Sequence, residues 1–149
     1  MVIGIFGESC TGKSTLAGLL KTRLDAEVYT GKDYLRFSKN ENMAQNLFRK
    51  ELEEAVSGRH ILYVISEPEH LQLLPEGALR VLVTADLEQI KSRFAQRMKG
   101  NLPAAVGAML ERKHGCFDTE PHHTQVISGE TDPDTLWNQI TQWEEAHGQ

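Results

Sequence analysis

Short apolar runs alternate with stretches of helical periodicity along this chain. Five runs have the length and apolar character of buried strands: Val2–Phe6, Glu27–Thr30, His60–Ile65, Leu79–Thr84 and Thr124–Ile127. Between them, apolar residues recur at spacings of three and four, which is typical of amphipathic helices. Strands that alternate with helices predict an α/β fold, in which helices cover both faces of one parallel sheet.

Capping residues indicate where these helices begin and end. A first helix from Thr15 to Leu24 carries leucines at helical spacing and starts near Lys13. The other four are predicted from the Asn40 cap to near Gly58, from Leu87 to Met98, from Asn101-Leu102-Pro103 to Gly115, and from the Asp132 cap and Pro133 through Trp143. Ligands of such sheets bind at the carboxyl ends of the strands, so the polar residues after each strand are the candidates for chemistry.

The segment between the first strand and the first helix has a pattern that binds phosphates. It fits G-x-x-x-x-G-K-[ST], called Walker A, and with the next residue it reads Gly7, Glu8, Ser9, Cys10, Thr11, Gly12, Lys13, Ser14, Thr15. The two glycines let successive backbone N–H groups point into one concavity, and the helix N-terminus adds positive potential. We expect these nine residues to bind ATP, with Lys13 at the β- and γ-phosphates and the Ser14 hydroxyl on Mg²⁺.

Composition and charge narrow the number of domains, the kinds of partner and the cellular location that we expect. The 149 residues, 40% of them hydrophobic, suffice for a single domain with a full core. A net charge of −5 gives no global basic field, so we expect no nucleic-acid partner. The sequence has two cysteines, no signal-peptide pattern and no apolar stretch of membrane-spanning length. We therefore expect a cytoplasmic protein with no membrane partner, as a monomer or weak homodimer.

Carboxylates follow the second and third predicted strands. Asp33 lies three residues after the second strand, and Glu67 lies two residues after the third. Phosphoryl transfer needs an acid that organises the metal and, for some acceptors, a base, and both residues are candidates for these roles. Asp33 also fits a turn residue or a helix cap, and Glu67 with Pro68 also fits an ordinary loop.

Basic residues cluster on the two helices that follow the fourth strand. Arg93 and Arg97 are four positions apart, so they share one helix face. In a chain that carries a phosphate loop, this pair favours a clamp on a polyphosphate over an ordinary solvated face. Arg112 and Lys113 end the next helix, where they fit either an extension of the clamp or a complement to the helix dipole.

These motifs together resemble the small P-loop kinases, in particular the nucleoside monophosphate kinases such as adenylate kinase. The segment Thr30-Gly31-x-Asp33-x-Leu35-Arg36 is similar to the family's T-G-D-x-L-R segment. By this resemblance, Thr30 approaches the acceptor and Arg36 holds its phosphate. The resemblance also implies a five-stranded sheet of order 2-3-1-4-5 and transfer of the γ-phosphoryl group from ATP-Mg²⁺ to a small acceptor.

The resemblance extends to the second half of the chain. Arg93 and Arg97 resemble the paired arginines at the start of the family's lid, which here spans about residues 97–115. The segment 126–131 resembles the last strand and loop, which implies that the backbone at Gly129 lies beside the adenine. The predicted catalytic residues are Lys13, Asp33, Arg93 and Arg97, and the predicted acceptor-binding residues are Thr30, Asp33, Arg36, Glu67 and Arg112.

The chain departs from the family pattern after the third strand. Nucleoside monophosphate kinases carry D-G-F-P-R there, whereas this chain reads Ile65-Ser66-Glu67-Pro68-Glu69. Glu69 replaces the arginine and would repel a phosphate. Related kinases of gluconate, shikimate and antibiotics phosphorylate a hydroxyl group, often with an aspartate after the second strand, and Asp33 suits that role. A nucleoside monophosphate or similar nucleotide is the first candidate acceptor, and a small hydroxyl compound is the alternative.

The same residues bear on two functions outside the kinases. A nucleotide-binding regulatory protein with little catalysis agrees with the missing D-G-F-P-R arginine. A GTPase-like switch is disfavoured, because the N-K-x-D motif that reads the guanine base is absent from the sequence.

Overall fold

A single parallel sheet forms the centre of the molecule in a computed structural model, which describes residues 1–147. The five strands are β1 (Val2–Phe6), β2 (Glu27–Thr30), β3 (Ile61–Ile65), β4 (Leu79–Thr84) and β5 (Thr124–Ile127). They lie in the order β2-β3-β1-β4-β5, and every pairing is parallel. The predicted fold class and strand order are confirmed, and β3 begins one residue later than the sequence pattern indicates.

Within residues 1–147, four α-helices lie between strands and a fifth follows β5, as the spacing of apolar residues predicts. They are α1 (Lys13–Leu24), α2 (Glu41–Ala55), α3 (Leu87–Arg97), α4 (Ala104–Lys113) and α5 (Pro133–His147). The side chain of Asn40 caps α2 by accepting a hydrogen bond of 2.9 Å from the backbone of Met43. Met98 lies just past the end of α3 rather than inside it, because the chain turns there into left-handed backbone at Lys99.

Two short 3₁₀ helices were not predicted from the sequence. The first spans Asp33–Phe37 after β2, and the second spans Pro68–Leu73 after β3. Neither segment is long enough to show a helical period, and the i,i+3 pattern of such short helices leaves little trace in a sequence. Both lie on the acceptor side of the predicted site.

The sheet is covered on both faces because its central strand is apolar on both. Val2 and Phe6 of β1 face one core, which α2 and the two 3₁₀ helices cover. Ile3 and Ile5 face a second core, which α1 and α5 cover. This alternation follows from the two-residue period of a strand.

A third, smaller cluster joins the segment after β1 to α3 and α4. Cys10, Ala85, Ile90 and Leu110 are buried in it. The apolar face of α4 therefore packs against the segment after β1, which contains the glycine loop. In residues 1–147, no helix combines the length and the apolar character that crossing a membrane requires.

Candidate active site

The glycine loop lies at the carboxyl edge of the sheet, directly after its central strand. The backbone N–H of Gly7 donates to Ile65 at the end of β3, at 3.2 Å. The corresponding residues after β2 and β5 are bound to their neighbours in the same way, Gly31 to Val64 and Ser128 to Thr84. The loops that follow β1, β2 and β5 are thus hydrogen-bonded to neighbouring strands at one edge of the sheet, where ligands of open α/β sheets bind.

The loop has the backbone that its glycines predict. Gly12 has a φ of 101°, a conformation that side chains with a Cβ rarely adopt. At Gly7 the need for glycine is one of space, because a Cβ there would lie 2.2 Å from the carbonyl oxygen of Val83. Cys10 is also left-handed, with a φ of 65°, and its side chain is buried against α3 and α4. These positions curl the chain around a small cavity.

Lys13 is held inside this loop. Its side chain is almost fully buried, at 5% exposed, and Nζ donates to the carbonyl oxygen of Glu8 at 2.5 Å. The hydroxyl of Thr11 donates to the same oxygen at 2.9 Å. Burial lowers the pKa of Lys13 to about 8, and the Arg97 guanidinium acts in the same direction. A buried ammonium whose protein partner is a neutral carbonyl is well suited to receive an anion.

The cavity enclosed by the loop has the size and lining of a phosphate site. It measures about 120 Å³ and is lined by Ser9, Cys10, Gly12, Lys13, Ser14, Thr15, Ser66 and Arg97. The residues present fit Mg²⁺ as well, since Ser14 supplies a hydroxyl oxygen at the wall of this cavity.

A larger cavity of about 670 Å³ opens beside the loop. Its lining includes the apolar residues Leu16, Leu19, Val126 and Pro133 and the polar residues Arg93, Gln96 and Arg97. Gly129, with a φ of 82°, also lines it, and its position beside an adenine stays a prediction. An apolar slot next to a phosphate cavity has the shape and chemistry for a nucleoside.

The two arginines of α3 line this larger cavity together, but their partners differ. Arg93 donates to the carbonyl oxygen of Cys10 at 3.0 Å and to the hydroxyl of Ser128 at 2.8 Å. It thereby joins the glycine loop to the loop after β5. Arg97 is exposed and lines the phosphate cavity as well. The structure thus brings both predicted arginines to the site. It also shows that Arg93 makes hydrogen bonds within the protein that the sequence does not reveal.

On the acceptor side, Asp33 begins the first 3₁₀ helix. Its carboxylate accepts hydrogen bonds from the backbone N–H of Thr30 at 2.8 Å and from the Thr30 hydroxyl at 3.3 Å. Arg36 lies 3.7 Å from the same carboxylate and over the ring of Tyr29. The three residues are therefore brought together, as a cluster at the end of the edge strand β2. The turn-forming role that the sequence left open for Asp33 is present.

The remaining predicted acceptor residues are more scattered. Glu67 precedes the second 3₁₀ helix and is exposed, as is Glu69 within it. Arg112 is exposed on α4 and lines neither the phosphate cavity nor the larger one. The structure does not bring Arg112 into the clamp formed by α3.

A partly buried polar network around Tyr34, the residue after Asp33, was not predicted from the sequence. The hydroxyl of Tyr34 donates to Glu41 at 3.2 Å and accepts from Gln45 at 3.3 Å. The ring of His70 packs edge-on against Tyr34, and within residues 1–147 its buried Nδ1 has no hydrogen-bond partner. The same holds for Nε of Arg49. The signal was the polar stripe at positions 41, 45 and 49 of α2, which a four-residue spacing places on one face.

Solved structures share this fold over nearly the whole chain. A shikimate kinase from Acinetobacter baumannii in complex with shikimate has a TM-score of 0.62 and 17% identity, covering 97% of this chain and 93% of that one. A gluconokinase from Sinorhizobium meliloti 1021 has a TM-score of 0.60 and 12% identity, covering 98% and 93%. The YorR protein of Bacillus subtilis, in complex with phosphorylated GDP, has a TM-score of 0.61 and 22% identity, covering 100% and 99%.

No protein-family model and no curated protein matches the sequence. At identities of this size, the likeness to the solved structures shows the fold. The fold is that of the P-loop kinases.

Proposed function

We propose that this protein is a phosphotransferase that moves the γ-phosphoryl group of ATP-Mg²⁺ to a small acceptor. The observation that carries the proposal is the buried Lys13 in a cavity of phosphate size, with Arg97 in its wall. A site for binding alone needs the loop and the lysine. An exposed arginine in the wall of the same cavity is what transfer adds, since charge builds up on the moving group.

The bond changes define what each residue does. An oxygen of the acceptor bonds to the γ-phosphorus, and the bond from this phosphorus to the bridging β,γ oxygen breaks, which releases ADP. Lys13 and the loop N–H groups hold the β- and γ-phosphates, and Arg97 offsets negative charge on the transferred group. The Ser14 hydroxyl would hold Mg²⁺, which would supply further positive charge at the phosphates. For a hydroxyl acceptor, the proton passes to the Asp33 carboxylate.

A nucleoside monophosphate or similar nucleotide is the first candidate acceptor. Thr30, Asp33 and Arg36 form one cluster at the end of β2, in the arrangement that the T-G-D-x-L-R resemblance implies. Arg36 is largely exposed, so its guanidinium is accessible to a phosphate from solvent.

A small hydroxyl compound is the second candidate, and the charge at the end of β3 favours it. Glu67 and Glu69 are both exposed there, and their negative charges make the electrostatic potential unfavourable for a second phosphate. The polar network of Tyr34, Glu41 and Gln45, with Arg49 further along the same helix, offers several hydrogen-bonding groups, which suits a polyhydroxy compound.

The decisive experiment measures ADP release from ATP-Mg²⁺ with a panel of nucleoside monophosphates, sugar acids and sugars. One acceptor should stimulate release at least about tenfold and return a phosphorylated product by mass spectrometry. If ATP bound tightly but no acceptor stimulated ADP release, the protein would instead be a regulatory nucleotide-binding protein.

Two variants then separate the acceptor classes. Asp33→Asn should lower kcat about 10²–10⁴-fold for a hydroxyl acceptor, because the proton acceptor is lost. Arg36→Ala should mainly raise KM for a monophosphate, because a charged binding contact is lost. Both variants leave the Walker loop untouched, so ATP affinity is the matched control.

A further inference from the structure

The hydroxyl of Tyr63 is the single polar group among the side chains of β3. The strand reads Ile61-Leu62-Tyr63-Val64-Ile65, and Tyr63 is fully buried, at 0% exposed. Its ring packs edge-on against Phe48 of α2, with ring centroids 4.9 Å apart. A phenylalanine would supply the same apolar ring, so packing accounts for the ring and leaves the hydroxyl to be explained.

This hydroxyl binds the backbone of the turn that follows β2. It donates to the carbonyl oxygen of Gly31 at 2.7 Å, across 32 positions of the chain. Gly31 is the first residue after β2, and its own N–H donates to the carbonyl oxygen of Val64 at 3.0 Å. Two consecutive residues of β3 therefore hold both backbone groups of Gly31, whose φ of 47° turns the chain out of the strand.

The turn at Gly31 leads directly to the acceptor cluster. The carboxylate of Asp33, two residues later, accepts from the backbone N–H of Thr30 at 2.8 Å and from its hydroxyl at 3.3 Å. Gly31 lies between these two partners, so the orientation of its peptide group sets where the carboxylate lies relative to the sheet. Because β2 is an edge strand, β3 is its single neighbouring strand within residues 1–147.

The hydroxyl of Tyr63 is a lasting donor. Burial raises the pKa of Tyr63, and Tyr34 and the Asp33 carboxylate act in the same direction. The hydroxyl therefore keeps its proton near neutral pH. Asp33 lies within electrostatic reach of this hydroxyl, which nevertheless donates to Gly31 and not to the carboxylate. Tyr63 can therefore act on Asp33 through the position of the turn.

We propose that Tyr63 is a positioning residue for Asp33, because its hydroxyl fixes the Gly31 peptide group and thereby places the Asp33 carboxylate toward the acceptor. The inference rests on the proposed function in that Asp33 serves the acceptor. A small misplacement of a catalytic group lowers the rate of transfer and leaves a binding site elsewhere intact. Loss of the hydroxyl should therefore affect the acceptor side of the reaction and spare ATP binding.

Tyr63→Phe removes the hydroxyl and keeps the ring. With the acceptor that the ADP-release panel identifies, this variant should lower kcat about tenfold, while the Kd for ATP stays within about twofold of wild type. Tyr29→Phe is the matched control, because it removes a tyrosine hydroxyl that donates to Glu27 at 2.8 Å and leaves the bond to Gly31 in place. Its kcat should stay within about twofold of wild type.

Amide exchange followed by NMR tests the turn without requiring turnover. The Thr30 amide reports its bond to Asp33, and the Gly31 amide reports its bond to Val64. The amides of β1 report the stability of the whole fold. In Tyr63→Phe, exchange at Thr30 and Gly31 should accelerate at least about fivefold more than exchange in β1. In Tyr29→Phe, the amides of Thr30, Gly31 and β1 should change together.

The outcomes separate the positioning role from the proposed function. Wild-type kcat in Tyr63→Phe, an equal fall of kcat in Tyr29→Phe, or exchange at Thr30 and Gly31 that accelerates no more than in β1 would overturn the role of Tyr63. A panel that gives no phosphorylated product would overturn the phosphotransferase. Amide exchange would then still decide whether Tyr63 fixes the turn that carries Asp33.

Discussion

Arg93 donates a hydrogen bond of 3.0 Å to the backbone carbonyl oxygen of Cys10, inside the phosphate loop. Because Ser128 takes a second N–H of the same guanidinium, Arg93 is bound on both sides. Arg97, one turn later on α3, is exposed and faces the phosphate cavity. The two arginines, which the sequence does not distinguish, therefore have different roles. Arg93 holds the walls of the site together, and Arg97 is available to the ligand.

Arg97→Ala should reduce kcat by about 10²–10³-fold, which is the usual effect of removing one group that stabilises transition-state charge. ATP affinity should change little, since Lys13 and the loop N–H groups hold the phosphates. Steady-state kinetics and ATP titration measure the two effects. Lys99→Gln, which removes a charge two residues away, is the control. A variant with normal kcat and weak ATP binding would assign Arg97 to ground-state binding instead.

Arg93→Ala should lower stability as well as activity. The variant leaves the Cys10 carbonyl and the Ser128 hydroxyl without their donor, at a cost of about 1–3 kcal/mol. For a domain of this size, that corresponds to a fall in Tm on the order of 2–10 °C. Differential scanning calorimetry of Arg93→Ala and Arg97→Ala gives the comparison. An equal Tm in the two variants would contradict a structural role for Arg93.

The same substitution at two glycines should have opposite effects. In Gly7→Ala the new Cβ meets the Val83 carbonyl at 2.2 Å, so the loop or β4 must shift, at a cost of about 1–3 kcal/mol. Gly18→Ala adds a methyl group in open space on α1 and should stabilise the helix by up to about 1 kcal/mol. Chemical denaturation measures the stability of the two variants, and ATP titration measures their affinity for ATP. If Gly7→Ala kept wild-type affinity and stability, the close approach to Val83 would be refuted.

The affinity for ATP should depend on pH through Lys13. Burial lowers the pKa of Lys13 to about 8 in the free protein, and a polyphosphate binds the charged form. Below pH 8 the lysine is already charged, so this group adds no pH dependence. Above pH 8 the charged fraction falls, and the Kd should rise by up to about tenfold per pH unit.

Titrations between pH 7 and 9.5 without divalent cations isolate this effect from the metal. Lys13→Arg stays charged throughout the range and should show a flat profile. If the Kd for ATP changed with pH in the same way in the wild type and in Lys13→Arg, a group other than Lys13 would be responsible.

The elements of this fold could be predicted because they depend on local patterns. β1, β3 and β4 are nearly continuous apolar runs, and their predicted limits differ from the observed ones by at most one residue. The phosphate loop was predictable for another reason, since a fixed spacing of two glycines, a lysine and a serine sets its geometry directly.

Contacts between distant residues could not be predicted in the same way. The acceptor of Arg93 is a backbone carbonyl, which every residue possesses, so no letter of the sequence marks it. The carboxylate of Glu8 accepts a hydrogen bond from His114, which lies more than 100 positions away, and an acid with a histidine is too common a pair to single out. Asp33 shows the intermediate case: its residue type predicted a turn or a catalytic acid, and the fold supplies the turn through Thr30.

The central place of β1 also affects how the protein is made. Residues 2–6 are synthesised before both of their partners, which are Ile61–Ile65 on one side and residues 79–82 on the other. At 5–20 residues per second, roughly 4–16 s pass before both neighbours have been synthesised. Until then β1 lacks both of its neighbours, and an unpaired apolar strand is prone to aggregation. A chaperone that covers β1 during this interval would therefore protect the strand from which the phosphate loop emerges.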